Sequence, residues 1–182
     1  NVEKAKEILA KAGYPGGKGL PAINYDVYSG TTARQGAELF KANVERIGVI
    51  VNINVSTWPE FNQKIKTRKT QIWGIAWTAD YPDAENFLQL LYGKNQAPGP
   101  NGSNYNNPEF NRLYEKASIM PDTPARTKIY KEMVAIAAKD VPWIYNLHRE
   151  LYYVTQGWLK NWKPAGEIMI TSIDREGTGQ GY

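Results

Sequence analysis

The stretch Gln71–Leu88, QIWGIAWTADYPDAENFL, sets the reading of the fold. Its first seven residues form an apolar run without polar alternation, as expected of a strand covered on both faces. The run gives way to one acid, Asp80, and then to Tyr-Pro-Asp. Open α/β sheets place ligands beyond the carboxyl ends of their strands, so Asp80 stands at a cleft position. From chemistry alone two roles stay open for it. It can cap the following helix together with Asp83, or it can hold an ammonium group through charge-assisted hydrogen bonds. Trp73 and Trp77 are four residues apart, and on a strand an even separation places both on one face. They either pack in the core or wall an apolar slot, with Thr78 offering backbone and hydroxyl groups beside them.

Upstream, the pattern alternates strand with helix. Val2 to Ala12 reads as a helix with Ala5, Ile8, Leu9 and Ala12 on one side, stopped by Gly13. YPGGKG is a turn-rich connector. It follows a helix and lacks the full phosphate-loop string, so it reads as a turn. PAINYDVYS is a strand with Ile23, Tyr25 and Val27 on one face. Ala33, Ala37, Phe40, Val44 and Ile47 form a helix stripe, with Thr31 or Thr32 as its cap and Gly48 at its end. Val49, Val51, Ile53 and Val55 mark a second strand, and a short helix with Pro59 in its first turn precedes Gln71. Strands and helices in this order, joined by short connectors, predict one α/β sheet.

Downstream, Pro82 to Leu91 predicts a helix carrying Phe87, Leu88 and Leu91. A Gly-, Pro- and Asn-rich loop follows, within which Asn104 and Tyr105 can offer hydrogen bonds. Asn107-Pro108 opens a helix with Phe110, Leu113, Tyr114 and Ala117 inward. The longest helix follows, with Asp122 or Thr123 as cap and Ala125, Ile129, Met133, Ile136 and Ala137 as its stripe. VPWIYNLHRELYYVT reads as extended, and Ile168 to Thr171 as one more strand. Trp158 and Trp162 form an aromatic hook.

Composition narrows the function. Among 182 residues there is no cysteine and one histidine, which excludes disulfides, thiol catalysis and multi-histidine metal sites. The net charge of +4 is dispersed, and Lys160 and Lys163 beside the hook make no platform for nucleic acid. His148 lacks a nucleophile motif and a third partner, so it does not read as catalytic. The spacing of Asp80, Asp83 and Glu85 does not match a calcium loop. The residues therefore favour a binding module over an enzyme, and no cofactor is expected.

Five segments, in this order, resemble the bacterial extracellular solute-binding proteins of the oligopeptide and dipeptide family, which serve ABC importers. They are AKEILAKAGYPGGKG, ARQGAELFKANVERIGVIVNI, WGIAWTADYPDAENFLQLLY, NYNNPEFNRLYEKA and DTPARTKIYKEMVAIAAKDVPWIYNLHRELYYVTQGWLKNWKP. The resemblance implies a periplasmic-binding-protein-like (type II) α/β lobe, a mixed sheet flanked by helices, without catalysis. It implies a C-terminal piece of a longer protein, with residues 1–157 as the solute-binding lobe and 158–182 as a segment returning to an N-terminal partner lobe. Asp80 matches the carboxylate that pairs with a peptide's α-amino group. Trp77 and Thr78 match the segment along the ligand, with Ala79 and Trp73 as further candidate contacts beside them, and Asn104 and Tyr105 match a loop near the cleft. The expected solute is an oligopeptide or dipeptide. The same fold also serves sugars and other small solutes, and a structural domain without ligand is a further alternative. The expected partners are the N-terminal lobe and an ABC permease, in the periplasm or at the outer face of the cytoplasmic membrane.

Overall fold

The computed structural model describes residues 1–146, 152 and 154–160. His148, Glu150, Trp162, Lys163 and the strand expected at Ile168 to Thr171 lie outside the described residues. So does most of the expected closing segment. The chain forms two compact units, Asn1–Ala76 and Trp77–Tyr182.

In the first unit, β1 (Ile23–Tyr28), β2 (Val51–Ser56) and β3 (Ile72–Trp73) form a parallel sheet in the order β2-β1-β3. All pairings among the described residues are parallel. Tyr25 meets Phe40 of α2 (Thr31–Glu45) edge-on, at 5.2 Å between ring centroids. On the opposite face, Tyr28 packs against Trp58 and Phe61 of α3 (Trp58–Lys66). Helices thus cover both faces of the central strand. This explains why strict alternation fails there: Val27 and its neighbour Asp26 are both buried. Asp26 is compensated by the Lys64 ammonium of α3, 2.8 Å away, as a buried carboxylate requires.

Helix ends follow local chemistry. Asn1 accepts a hydrogen bond from Lys4 N–H and starts α1 (Val2–Lys11). Glu60 accepts from both the Thr57 N–H and the Thr57 hydroxyl at the head of α3. The expected threonine cap of α2 is not formed. Thr31 already lies within the helix, Gly30 occupies the cap position, and no side chain bonds the first turn. The expected stripe of α1 is also largely open within this unit: none of its residues is buried, and Ile8 is exposed.

Two turns distant in sequence meet backbone to backbone. Gly17, in the connector, and Gly48, after α2, both have positive φ, +78° and +89°. A Cβ on Gly17 would overlap the Gly48 carbonyl, and one on Gly48 would overlap the Gly16 carbonyl. Here glycine satisfies conformation and close approach together.

The second unit is helical. α4 (Glu85–Leu88) runs into a 3-10 turn, Gln89–Leu91. α5 (Pro108–Ser118) and α6 (Pro124–Asp140) pack against it around Leu88, Leu91, Phe110, Leu113 and Met133. Asn107 caps α5 by accepting from Glu109 and Phe110 N–H, and Thr123 caps α6 by accepting from Arg126 N–H. The helix expected from Pro82 starts later, at Glu85, and Phe87 points outward. Residues 141–146 form no strand.

The stripe of α6 faces inward as expected at Ile129, Met133, Ile136 and Ala137, but it differs near the start of the helix: Ala125 is exposed, whereas Arg126 and Tyr130 are buried. The cause is an ion pair. Arg126 Nη1 lies 2.5 Å from Asp83 Oδ2, Arg126 Nε donates to the Ala117 carbonyl, and the guanidinium lies over the Tyr130 ring. Asp83 Oδ1 accepts from Glu85 N–H at 2.9 Å, serving the first turn of α4. Burial pushes the Asp83 carboxyl up, but the Glu85 N–H and Arg126 outweigh it and hold the group below its ordinary value.

Urea denaturation of the intact protein tests these contacts. Gly48→Ala is expected to cost about 2 kcal/mol or more, through positive φ and backbone overlap. Gly36→Ala, in open space within α2, is expected to gain about 0.5–1 kcal/mol. Arg126→Met leaves the half-buried Asp83 without its cation and is expected to cost about 1–2 kcal/mol. Because the folded-state value of Asp83 is depressed, its contribution is complete above about pH 4 and is lost as pH falls through the folded value. A shallower acid dependence below about pH 4 is therefore expected in Arg126→Met, and an unchanged slope contradicts the pairing.

Candidate functional site

The segment after β3 is not the long strand expected for Gln71–Trp77. Ladder pairing stops at Trp73, and residues 74–78 have no regular structure. The same-face argument for the two tryptophans therefore does not apply. Trp73 is half-buried in the first unit, and Trp77 belongs to the second.

Trp77 and Asp80 are tied together by one residue that sequence reasoning missed. Asn86, in the first turn of α4, is fully buried. Its Oδ1 accepts from the Trp77 indole N–H at 2.8 Å and from the Asp80 backbone N–H at 3.1 Å. Its Nδ2 donates to Asp80 Oδ2 at 3.0 Å. An indole N–H and a backbone N–H only donate, and a carboxylate only accepts, so the orientation of the amide is determined by its partners. Nothing in the periodicity of residues 82–91 separates Asn86 from a surface polar residue. The available signal is the demand of the indole and the acid, placed just before it, for partners.

Asp80 and Thr78 are exposed, Ala79 is buried, and Trp77 is 41% exposed despite its engaged N–H. Among the described residues, no hydrogen bond or ion pair reaches Asp80 Oδ1. The segment is braced from behind. Glu85 accepts from the hydroxyls of both Tyr81 and Tyr114. The Tyr114 ring stacks on Tyr92 at 4.3 Å between centroids. The hydrogen bond to Glu85 raises the Tyr81 phenol, and burial followed by the same carboxylate raises that of Tyr114, so both remain protonated donors at neutral pH.

Asn104 and Tyr105 lie in the loop between the 3-10 turns and α5, with their side chains engaged there. Asn104, at φ +56°, accepts from Ala97 N–H through Oδ1 and donates to the Gly102 carbonyl. Tyr105 donates to Asp140 Oδ2 at 2.6 Å and packs edge-on against Phe110. Burial and Asp140 raise its phenol far above the ordinary value. Asn101, fully buried, ties the loop by donating to the Tyr92 and Tyr105 carbonyls and accepting from the Ser103 hydroxyl. The structure thus links Trp77 and Asp80 through Asn86, with Ala79 buried between them in sequence, and uses Asn104 and Tyr105 to shape a separate loop.

Chemically, the grouped residues present a carboxylate with one oxygen anchored and one available, beside an indole. That set can accept hydrogen bonds from a cation and contact apolar surface. Among the described residues, no group of three His, Cys, Asp or Glu could hold a metal ion. No helix there is long and apolar enough to cross a membrane.

Several known proteins share this architecture. Heme-binding protein A of Haemophilus influenzae is 32% identical over 151 residues, covering 80% of this chain and 27% of that protein. The oligopeptide-binding protein OppA of Bacillus subtilis is 29% identical over 190 residues, covering 100% of this chain and 32% of that one. The solved structure of the ABC transporter-associated periplasmic binding protein DppA from Helicobacter pylori, in complex with peptide STSA, superposes with a TM-score of 0.70. It is 30% identical, over 78% of this chain and 28% of that one. The chain therefore spans about a third or less of the length of these relatives. Residues 1–99 match the model for the middle part of the family 5 bacterial extracellular solute-binding proteins. With the parallel α/β sheet and the helical unit that follows it, that match places the chain in family 5 of the bacterial extracellular solute-binding proteins.

Proposed function

We propose that the chain supplies part of a receptor that captures short peptides with a free α-amino group for an ABC importer. The observation that carries this reading is the exposed Asp80 carboxylate, anchored through one oxygen and standing in the same segment as the half-exposed Trp77. Asp80 takes the peptide ammonium, and Trp77, Thr78 and Ala79 flank the chain that follows it. Asn104 and Tyr105 enter as determinants of loop shape. The likeness to OppA and to the peptide complex of DppA supports a peptide over other amines. The remaining partners in this reading are an N-terminal lobe, which would enclose the ligand, and a membrane permease. Its location is outside the cytoplasmic membrane, in the periplasm or at the membrane's outer face. A closed cleft excludes water and strengthens the ammonium–carboxylate contact, which is why a second lobe belongs to the mechanism.

A flat apolar solute is the second reading, favoured by the likeness to heme-binding protein A and by the exposed indole of Trp77.

Calorimetry on the intact protein with trialanine and N-acetyl-trialanine separates the two. The peptide reading expects trialanine to bind more tightly than its acetylated form. It also expects Asp80→Asn to weaken trialanine by about tenfold or more, as for loss of a hydrogen bond between charged groups. Equal affinity of the protein and Asp80→Asn for trialanine overturns the role of Asp80. Binding of hemin with neither peptide bound selects the second reading.

A further inference from the structure

We propose that Asn86 is a positioning residue that joins the Asp80 carboxylate and the Trp77 indole into one recognition unit, so that discrimination in favour of a free amine depends on its amide. This rests on the peptide reading above.

The case is one of donor and acceptor count. Three polar groups converge on a side chain with no solvent exposure: the Trp77 N–H at 2.8 Å, the Asp80 N–H at 3.1 Å and the Asp80 carboxylate at 3.0 Å. Two need an acceptor and one needs a donor. A primary amide offers both from a single carbon, whereas a carboxylate offers only acceptors and an alkyl group neither. With its position set by α4, Asn86 fixes which oxygen of Asp80 is engaged and so leaves Oδ1 for a ligand. The Oδ1 atom of Asn86, which also accepts from the Asp80 backbone N–H, orients the indole. Loss of the indole N–H would free one side of the amide and loosen the carboxylate, although Trp77 and Asp80 share no direct hydrogen bond among the described residues.

The titratable and charged groups around the segment are otherwise engaged. Tyr81 and Glu85 bond each other, Tyr114 of α5 bonds Glu85, and Asp83 pairs with Arg126 of α6 beside Tyr130. None of them replaces the amide at Asp80.

Asn86→Asp gives the sharpest test because it retains shape and both acceptor contacts. It replaces the donor with a carboxylate oxygen facing Asp80. Two carboxyl groups at this separation share a proton, and the protonated form donates an O–H where Asn86 donates N–H. Low pH should therefore rescue this variant. In calorimetry on the intact protein, trialanine affinity is expected near wild type at pH 5 and about tenfold or more weaker at pH 7, while the wild type changes little across this window, in which the peptide ammonium stays protonated. A pH-independent affinity in Asn86→Asp, equal to wild type, overturns the proposal.

Two further measurements serve where that variant does not fold or the ligand reading fails. Trp77→Phe keeps an aromatic ring but removes the N–H. The ratio of trialanine to N-acetyl-trialanine affinity is expected to fall at least about threefold in this variant, whereas an equal loss for both peptides overturns the coupling. Without any ligand, Trp77 emission, taken as the difference from Trp77→Phe, is expected to change between pH 5 and 8 in Asn86→Asp and not in the wild type. Emission that is pH-independent in both overturns the proposal. If the wild type does not distinguish the two peptides but the emission change is present, the peptide reading fails and the coupling through Asn86 stands.

Discussion

A helix of four residues cannot hold itself. Glu85–Leu88 is too short for its backbone bonds to offset the cost of nucleation, yet it holds the neighbouring Asp80 in one geometry. Side chains meet this constraint. Asp83 fixes the entry and pairs with Arg126, Glu85 gathers two tyrosine hydroxyls, and Asn86 reaches back to Trp77 and Asp80. Each contact uses a different chemical type: an ion pair, a carboxylate with two phenols, and an amide. The segment is therefore specified by group identity as much as by shape, and few substitutions can satisfy all three.

In the proposed function, that arrangement bears on recognition. An acid on a mobile loop would lose rotamer freedom on meeting a cation, whereas one already anchored through one oxygen loses less. Preorganisation of this kind is cheap in affinity terms because its cost is met during folding. The same logic extends to the loop at Asn101, where one buried side chain replaces the backbone pairing that an irregular segment lacks.

Much of this molecule is legible in its sequence, and the failures share a cause. The inward face of α5 was legible because apolar residues at helical spacing, opened by Asn107-Pro108, leave little choice. The burial of Arg126 in the first turn of α6 was not, because an arginine on an amphipathic helix normally marks solvent, and its partner is an acid far away in sequence. The strand reading of Gln71–Trp77 ran too long because an apolar run does not reveal where pairing stops: the chain leaves the ladder after Trp73, opposite Asp26, although β1 continues to Tyr28. Asp83 at the start of α4 and Asp80 in the open segment were separable as residues, but the amide linking Asp80 to Trp77 left no periodic signature. Tertiary demand for a donor and an acceptor at one point is invisible to any window along the chain.

The two glycine turns of the first unit carry an implication for descent. Gly17 and Gly48 touch through main-chain atoms, so neither site has room to drift alone. A lineage that lengthens or reshapes the connector after α1 must, in the same history, remodel the turn between α2 and β2. Compensating changes at these two positions, distant in sequence and without side chains to report a contact, should mark branches in which this end of the sheet has been rebuilt.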